Sequence, residues 1–215
     1  MTIITKIEMK CSVCGKTSQR AVMTSTNSWG RPDLDLRPAP MYRDTINVWL
    51  MECPHCGYVA ARLDNELKTS PDFLKSEEYL TCEGNDFKSD LSKRFYRRYL
   101  ISKAENDHNS EFYSLLHCAW ACDDADDGLA VEMRKLAVDL VDKVDDENEN
   151  LKLIKADLLR RSLQFERLIE EYSDFTSNDE LSYSIIRFQL GLQLWKIVTV
   201  IQYRKSLTNS IPPNN

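Results

Sequence analysis

Hydrophobic and polar positions follow two different periods along this chain of 215 residues. Before residue 64 apolar residues tend to recur at every second position, the period of a strand with one buried face. From about Pro71 onward they recur at three- and four-residue spacing, the period of an amphipathic helix. The pattern predicts an α+β protein that is mostly α, with a small β module ahead of an antiparallel array of helical hairpins.

Three stretches of the N-terminal part carry the strand pattern. Residues 2–10 place Ile7 and Met9 on one face, and residues 17–26 follow as the returning strand of a hairpin. Residues 45–52 alternate again, which predicts a third strand leading into the later cysteine pair.

The segment 29–42 holds three prolines and a glycine, which excludes a regular helix or a central strand. Its charges have two open interpretations. In one, the segment is a recognition surface in which Arg37 engages a carboxylate or phosphate. In the other, arginines and aspartates pair internally and fasten the segment to the β module. The charged residues are Arg31, Asp33, Asp35, Arg37, Arg43 and Asp44.

The helical part divides at turn-forming or acidic segments, which lie at 83–86, 123–128 and 145–148. Ala119 and Ala156 lie 37 positions apart in the first helices of two predicted hairpins, near the ~34-residue period of tetratricopeptide repeats. We therefore expect tetratricopeptide-like packing, with a generic helical bundle as the alternative. The predicted helices are 72–80, 89–105, 110–122, 129–144, 150–161, 165–172 and 178–206.

Four cysteines stand in two Cys-x-x-Cys pairs, Cys11 with Cys14 and Cys53 with Cys56, and a glycine follows each pair. Two such knuckles supply the four thiolates of a tetrahedral Zn²⁺ site, so these four residues are the predicted metal ligands and Zn²⁺ the predicted cofactor. Four sulfurs leave no open position for a catalytic water. Two alternatives are weaker: His55 replacing a thiolate, and dithiol redox chemistry, which needs a helix N-terminus to lower a thiol pKa.

Composition and the order of apolar residues indicate the cellular compartment. Seven cysteines with metal-ligand spacing favour a reducing cytoplasm over a disulfide framework. No basic n-region precedes an apolar stretch at the start, and the apolar segment 190–201 is interrupted by Gln193 and Lys196, so neither a signal peptide nor a membrane span is expected.

The net charge of −6 is unevenly distributed. Residues 1–63 carry 8 basic and 5 acidic residues, whereas residues 64–215 carry 20 basic and 29 acidic ones. An acidic helical part disfavours nucleic acid as a partner. A nucleic-acid-binding ribbon requires one contiguous basic face that includes Lys10, Lys16, Arg20 and Arg62.

Two further clusters have structural interpretations that we prefer. Cys118 and Cys122 lie at i and i+4 beside His117 and could share a metal, but their apolar neighbours favour core packing. The acidic run 123–127 lacks the ligand spacing of an EF-hand and is expected to be a solvated turn with an N-cap carboxylate. The sequence contains no phosphate-binding glycine loop, G-x-S-x-G or H-E-x-x-H motif. We therefore predict no catalytic and no organic cofactor-binding residues.

The two knuckles and the segment between them resemble the bacterial proteins grouped as domain of unknown function 2225. The resemblance rests on the residues 11–15, on 33–38 with Met41, and on Trp49 ahead of 53–58. It implies a zinc ribbon-like module followed by tetratricopeptide-like helices, supports the four metal ligands, and carries no assigned activity.

These observations predict a zinc ribbon-like module over 1–67, a helical domain over 68–207 and a flexible tail over 208–215. The expected function is that of a cytoplasmic, non-enzymatic scaffold or adaptor that binds a protein or peptide partner. The acidic helical part would attract a basic segment of that partner by electrostatic steering. Two alternatives are retained. One is an enzyme whose site lies where the loop 31–44 meets the helices, using Arg37 with an unpaired Asp33 or Asp35. The other is the nucleic-acid-binding ribbon.

Overall fold

Four short strands precede six helices and a seventh helical segment in the computed structural model, which describes residues 1–144 and 149–192. The predicted fold class, α+β and mostly α, is confirmed. The strands are β1 (Ile3–Lys10), β2 (Thr17–Ser25), β3 (Met51–Glu52) and β4 (Val59–Ala60). The helices are α1 (Glu77–Thr81), α2 (Asp90–Glu105), α3 (His108–Asp124), α4 (Leu129–Val141), α5 (Glu149–Arg161), α6 (Phe165–Tyr172) and α7, which begins at residue 180 and is described to residue 192.

Two antiparallel hairpins form the β part, β1 with β2 and β3 with β4. In the first, Met9 lies opposite Ser18 and is 4% exposed, whereas Lys6 and Lys10 on the other face are exposed. The alternation of residues 2–10 therefore predicted correctly which face turns inward. Each hairpin carries one cysteine pair in its turn.

The predicted strand over 45–52 is wrong for its first part. Residues Arg43–Val48 form a 3₁₀ helix, and only Met51–Glu52 are extended. Local bonds stabilise this turn, since the Thr45 hydroxyl donates to the Tyr42 carbonyl at 2.7 Å and accepts from the Trp49 indole at 2.8 Å. Side-chain bonds of this kind offer the backbone an alternative to a strand ladder.

Each helix from α2 to α5 packs against the next one along the chain, and short connections join most of them. Ser89 and Asp107 cap α2 and α3 by accepting from the amides of Ser92 and Ser110. Ala119 and Ala156 are fully buried in α3 and α5, where a small side chain lets neighbouring helices approach closely. Tetratricopeptide-like packing remains a prediction.

Three sequence-based expectations fall on residues outside those described. They are the turn at 145–148, the part of the last predicted helix beyond residue 192, and the tail 208–215. Within the described ranges, no helix is both long and apolar enough to cross a membrane.

Candidate metal centre

The two cysteine knuckles have the same backbone geometry. In the first, the Gly15 amide donates to the Cys11 carbonyl at 2.9 Å; in the second, the Gly57 amide donates to the Cys53 carbonyl at 3.0 Å. Both glycines have positive φ, +71° and +72°, a conformation that is costly for a residue with a side chain. The glycine after each pair therefore lets the chain turn back toward the sulfurs.

The fold brings together the four cysteines selected from the sequence. The sulfurs of Cys11, Cys14, Cys53 and Cys56 all lie within 4.8 Å of one another. Those of Cys11 and Cys56 are 3.8 Å apart, and those of Cys14 and Cys53 are 3.7 Å apart. A tetrahedron whose centre lies about 2.3 Å from each sulfur, the Zn–S bond length, has an edge of about 3.8 Å. The arrangement fits a tetrahedral metal ion.

Backbone amides stabilise negative charge at three of the four sulfurs, those of Cys11, Cys53 and Cys56. Although burial acts to raise it, the pKa of Cys53 is lowered to about 7 by hydrogen bonds from the amides of His55 and Cys56. Burial raises the pKa of Cys11 despite equivalent bonds from Val13 and Cys14. These amide bonds suit the deprotonated thiolates that a metal requires. Neither pair opens a helix, which the redox alternative needs, and the intervening His55 is exposed.

Tyr79 of α1 fastens the second knuckle to the helical part. Its side chain is 1% exposed, and its hydroxyl donates to the Gly57 carbonyl at 2.6 Å. The first knuckle is held from the other side, where the Ser12 amide donates to the Leu63 carbonyl at 2.9 Å. This role of Tyr79 was not predicted from the sequence, because a buried tyrosine on an amphipathic helix carries no signal of its partner.

We expect Tyr79→Phe to lower the free energy of unfolding by about 1–2 kcal/mol, because it removes the bond from a buried hydroxyl to the half-buried Gly57 carbonyl. Urea unfolding followed by circular dichroism measures the effect. Tyr183→Phe is the matched control at a position that is 42% exposed, where a change within about 0.5 kcal/mol is expected. Equal effects of the two substitutions would contradict the role assigned to Tyr79.

The loop between the knuckles is fastened to the helices by buried charges. Asp35 is 1% exposed and accepts from the Trp120 indole nitrogen at 2.6 Å, and one of its oxygens lies 3.4 Å from the Arg161 guanidinium. Arg37 is 7% exposed and pairs with Asp124 at 2.5 Å. Arginine–aspartate pairing is thus observed, and through Asp35 and Arg37 it fastens the segment to α3 and α5 rather than to the β module.

Asp123 extends this network within the helical part. It accepts from the buried Arg134 of α4 and lies 2.6 Å from Arg161 of α5. Three arginines and three aspartates, Arg37, Arg134, Arg161, Asp35, Asp123 and Asp124, therefore join the loop to α3, α4 and α5.

This network bears on the enzyme alternative, which requires an unpaired Asp33 or Asp35. Asp35 is buried among donors, and Asp33 pairs with Arg43 at 2.7 Å. Neither carboxylate meets the stated requirement.

The acidic run 123–127 is less solvated than expected. Besides the pairs of Asp123 and Asp124, Asp127 is 7% exposed and accepts from the amides of Leu129 and Lys88. The N-cap of α4 is Gly128, so the predicted N-cap carboxylate is absent, and Asp127 accepts from the Leu129 amide one position outside the cap. The turn is solvated at Asp124 and Asp126, which are exposed, whereas Asp123 lies under arginines of α4 and α5 and Asp127 is buried against backbone amides.

The basic face required by the nucleic-acid alternative is divided in the fold. Lys10 and Arg20 lie on opposite faces of the β1–β2 hairpin, since Arg20 pairs with Ile7 in the ladder. Arg62 is paired with Asp64 at 2.6 Å.

The second cysteine cluster is part of the core. Cys118 and Cys122 are fully buried, and the Cys118 thiol donates to the Ser92 carbonyl at 3.3 Å. His117 instead packs among aromatic rings, with its ring centre 5.0 Å from that of Trp49 and 4.8 Å from that of Trp120. Burial, and secondarily the charge of Arg37, lowers the pKa of His117 to about 3.

His117 makes stability depend on acidity in a defined window. The unfolded chain protonates this histidine below a pH of about 6.5, whereas the folded chain does not until about 3, so stability is complete above pH 6.5 and falls as the pH drops. Between pH 7 and 4.5 we expect His117 to cost about 2–3 kcal/mol. Urea unfolding at both values should show this difference for the natural chain and lose it for His117→Phe. The same acid dependence in both proteins would refute the assignment, because their other titrating groups are identical.

Comparisons of the chain with protein-family models, curated proteins and solved structures return no match. The resemblance to domain of unknown function 2225 remains a prediction.

Proposed function

We propose that this chain is a zinc-binding protein in which a ribbon-like module and its loop are clamped onto a helical domain that binds a protein or peptide partner. The set of four clustered sulfurs carries the proposal, since Cys11, Cys14, Cys53 and Cys56 would fill all four positions around a tetrahedral ion. Such an ion holds two distant chain segments together and has no position left for a substrate or a reactive water. Its role is therefore structural.

The connections between the parts support a clamp. Tyr79 binds the second knuckle, and Asp35 and Arg37 bind the loop to α3 and α5. The module therefore stabilises one arrangement of loop and helices, which is what a preformed binding surface requires. The excess of acidic over basic residues in 64–215 favours a basic partner segment through electrostatic steering.

Catalysis at the loop and nucleic-acid binding by the ribbon have less support, because the first needs free carboxylates at Asp33 or Asp35 and the second needs a continuous basic face. Membership of domain of unknown function 2225, tetratricopeptide-like packing and a cytoplasmic location belong to the same proposal. A reducing compartment keeps the four thiols available to the metal.

The test combines metal analysis with partner capture. Protein purified without a metal-binding tag is analysed by elemental and native mass spectrometry, and one zinc per chain is expected. The same protein then captures partners from native extract with and without a chelator. Partners that survive chelation place binding on the helices, whereas partners lost with the metal place it on the ribbon and loop. Absence of zinc would overturn the metal assignment, and absence of any specific partner would overturn the scaffold role.

A further inference from the structure

Two adjacent cavities lie between α3 and the segment that leads to the second knuckle. The first has a volume of about 570 Å³ and the second about 380 Å³, sizes typical of ligand sites. Trp49, Tyr113 and His117 line both of them. The two cavities thus adjoin at these three residues, and we call them together the α3 groove.

Aromatic rings dominate the second cavity. Trp49 lies with its ring centre 5.3 Å from that of Tyr42 and 6.4 Å from that of Trp120. Tyr42 at the rim is 37% exposed. Leu116 and Ile154 complete an apolar wall. Rings held at these separations offer faces and edges to a further aromatic ring, the geometry that aromatic pairs prefer.

His117 adds an unused polar group to this apolar surrounding. Within the part of the chain that the structure describes, its ring contacts are with Trp49, Phe95, Tyr113 and Trp120, and neither ring nitrogen has a hydrogen-bond partner. A neutral imidazole has one donor and one acceptor nitrogen. Because the pKa of His117 is about 3, the acceptor is present at neutral pH. His117 is half-buried and lines both cavities, so this acceptor can be reached by a ligand in them.

The lining of the first cavity combines apolar side chains with five charged ones. Three carboxylates, of Glu66, Glu105 and Asp107, face two cations, of Lys68 and Arg98. Arg98 is already bound to Glu105 at 3.3 Å, and no side-chain bond of Glu66 is found among the described residues. This end of the groove therefore favours a positive charge.

We propose that the α3 groove binds an extended peptide segment of a partner protein, with a tyrosine or tryptophan in the second cavity that donates a hydrogen bond to His117 and a lysine or arginine in the first. The inference rests on the proposed function and assigns its site and the chemistry of its partner. The aromatic ring fills the apolar end, and its hydroxyl or indole N–H meets the free acceptor of the imidazole. The basic side chain pairs with Glu66, whose carboxylate is exposed.

The test begins with random dodecapeptides displayed on phage and selected on the immobilised full-length chain. We expect the enriched sequences to contain a tyrosine or tryptophan with a lysine or arginine a few residues away. A synthetic copy of the most enriched peptide is then measured by fluorescence anisotropy against the natural chain, His117→Phe, Glu66→Gln and Tyr42→Ala. Tyr183→Ala is the control, because Tyr183 is also exposed (42%) and lies on α7, outside the lining of the groove.

A double-mutant cycle isolates the hydrogen bond. Replacing the peptide's aromatic donor residue by phenylalanine should weaken binding about 2- to 10-fold with the natural chain and have no further effect with His117→Phe. Glu66→Gln should weaken the peptide about 2- to 5-fold at low salt, and this loss should disappear when the peptide's basic residue is glutamine. Tyr42→Ala should weaken it and Tyr183→Ala should not.

Three results would overturn the inference. They are additive effects in the His117 cycle, unchanged binding by Tyr42→Ala, and binding of N-acetyltyrosinamide alone as tight as that of the peptide. Peptides that bind specifically but ignore all groove substitutions would leave the scaffold function standing and place its site elsewhere. A selection that enriches no peptide, together with capture of no partner by the full chain, would reject the proposed function itself.

Discussion

Removal of the metal by a strong chelator is expected to unfold the two knuckles and the β1–β2 hairpin while α2 to α5 remain folded. An isolated two-stranded hairpin is marginally stable in water, and much of β1 and β2 is exposed. Metal ligation in small zinc domains contributes apparent free energies of about 10–16 kcal/mol, which the hairpin cannot replace. The helices bury a core of their own, with residues such as Leu115, Ala119 and Leu158 almost fully inaccessible.

Amide hydrogen exchange followed by mass spectrometry distinguishes the two parts. Protection of the peptides that cover residues 3–25 and 51–60 should approach that of an unfolded chain after chelation, whereas peptides from α3 and α4 should change little. Cys56→Ser should reproduce the result without chelator. His55→Ala, a change at the adjacent position, should keep both metal and protection. Equal loss of metal by the two variants would show that His55 is a ligand. Full protection without metal would contradict the structural role proposed for the ion.

Asp35→Asn is expected to lower the free energy of unfolding by about 1–3 kcal/mol, because it removes the charge of a buried carboxylate that accepts from the Trp120 indole and pairs with Arg161. Asp35 is 1% exposed, and its side chain contacts the Trp120 indole and the Arg161 guanidinium. An asparagine side chain has one acceptor oxygen where the carboxylate has two. Its NH₂ group would therefore face either the Trp120 indole N–H or the Arg161 guanidinium, and neither of these can accept a hydrogen bond. The loop should detach from α3 and α5 as a result.

Asp33→Asn is the matched control two positions earlier. Asp33 is about half exposed at its side chain and pairs with Arg43 on the surface, an arrangement that contributes about 0–1 kcal/mol. Urea unfolding measures the two free energies, and hydrogen exchange of residues 29–42 reports whether the loop detaches. Similar small effects of both substitutions would show that the buried network adds little to stability.

Local sequence signals predicted the parts of this protein that depend on near neighbours. The Cys-x-x-Cys-Gly spacing selected the four residues whose sulfurs meet, because each knuckle is a short turn whose geometry its own glycine permits. The 3.6-residue period located most of the helices, and Phe165–Tyr172 was predicted with the observed bounds. The strand predicted over 45–48 does not form, because hydrogen bonds of Thr45 with Tyr42 and Trp49 stabilise a turn there despite the alternating pattern.

The partners of the loop could not be read from the sequence. The mixed charges of 31–44 allowed either a recognition surface or internal pairing, and nothing in them pointed to Asp124 or Arg161. His117 was grouped with Cys118 and Cys122 by adjacency, although the fold separates it from them and places it among Trp49, Phe95 and Trp120.

By itself the sequence determined the α+β class, most element positions and the cysteine set, since these follow from periodicity and from turns only a few residues long. Only the tertiary structure decided which charges are buried, that the loop is fastened to the helices, and that aromatic residues from distant segments enclose a groove. Those features depend on contacts between residues such as Asp35 and Arg161, whose separation of 126 positions leaves no periodic or local trace in the chain.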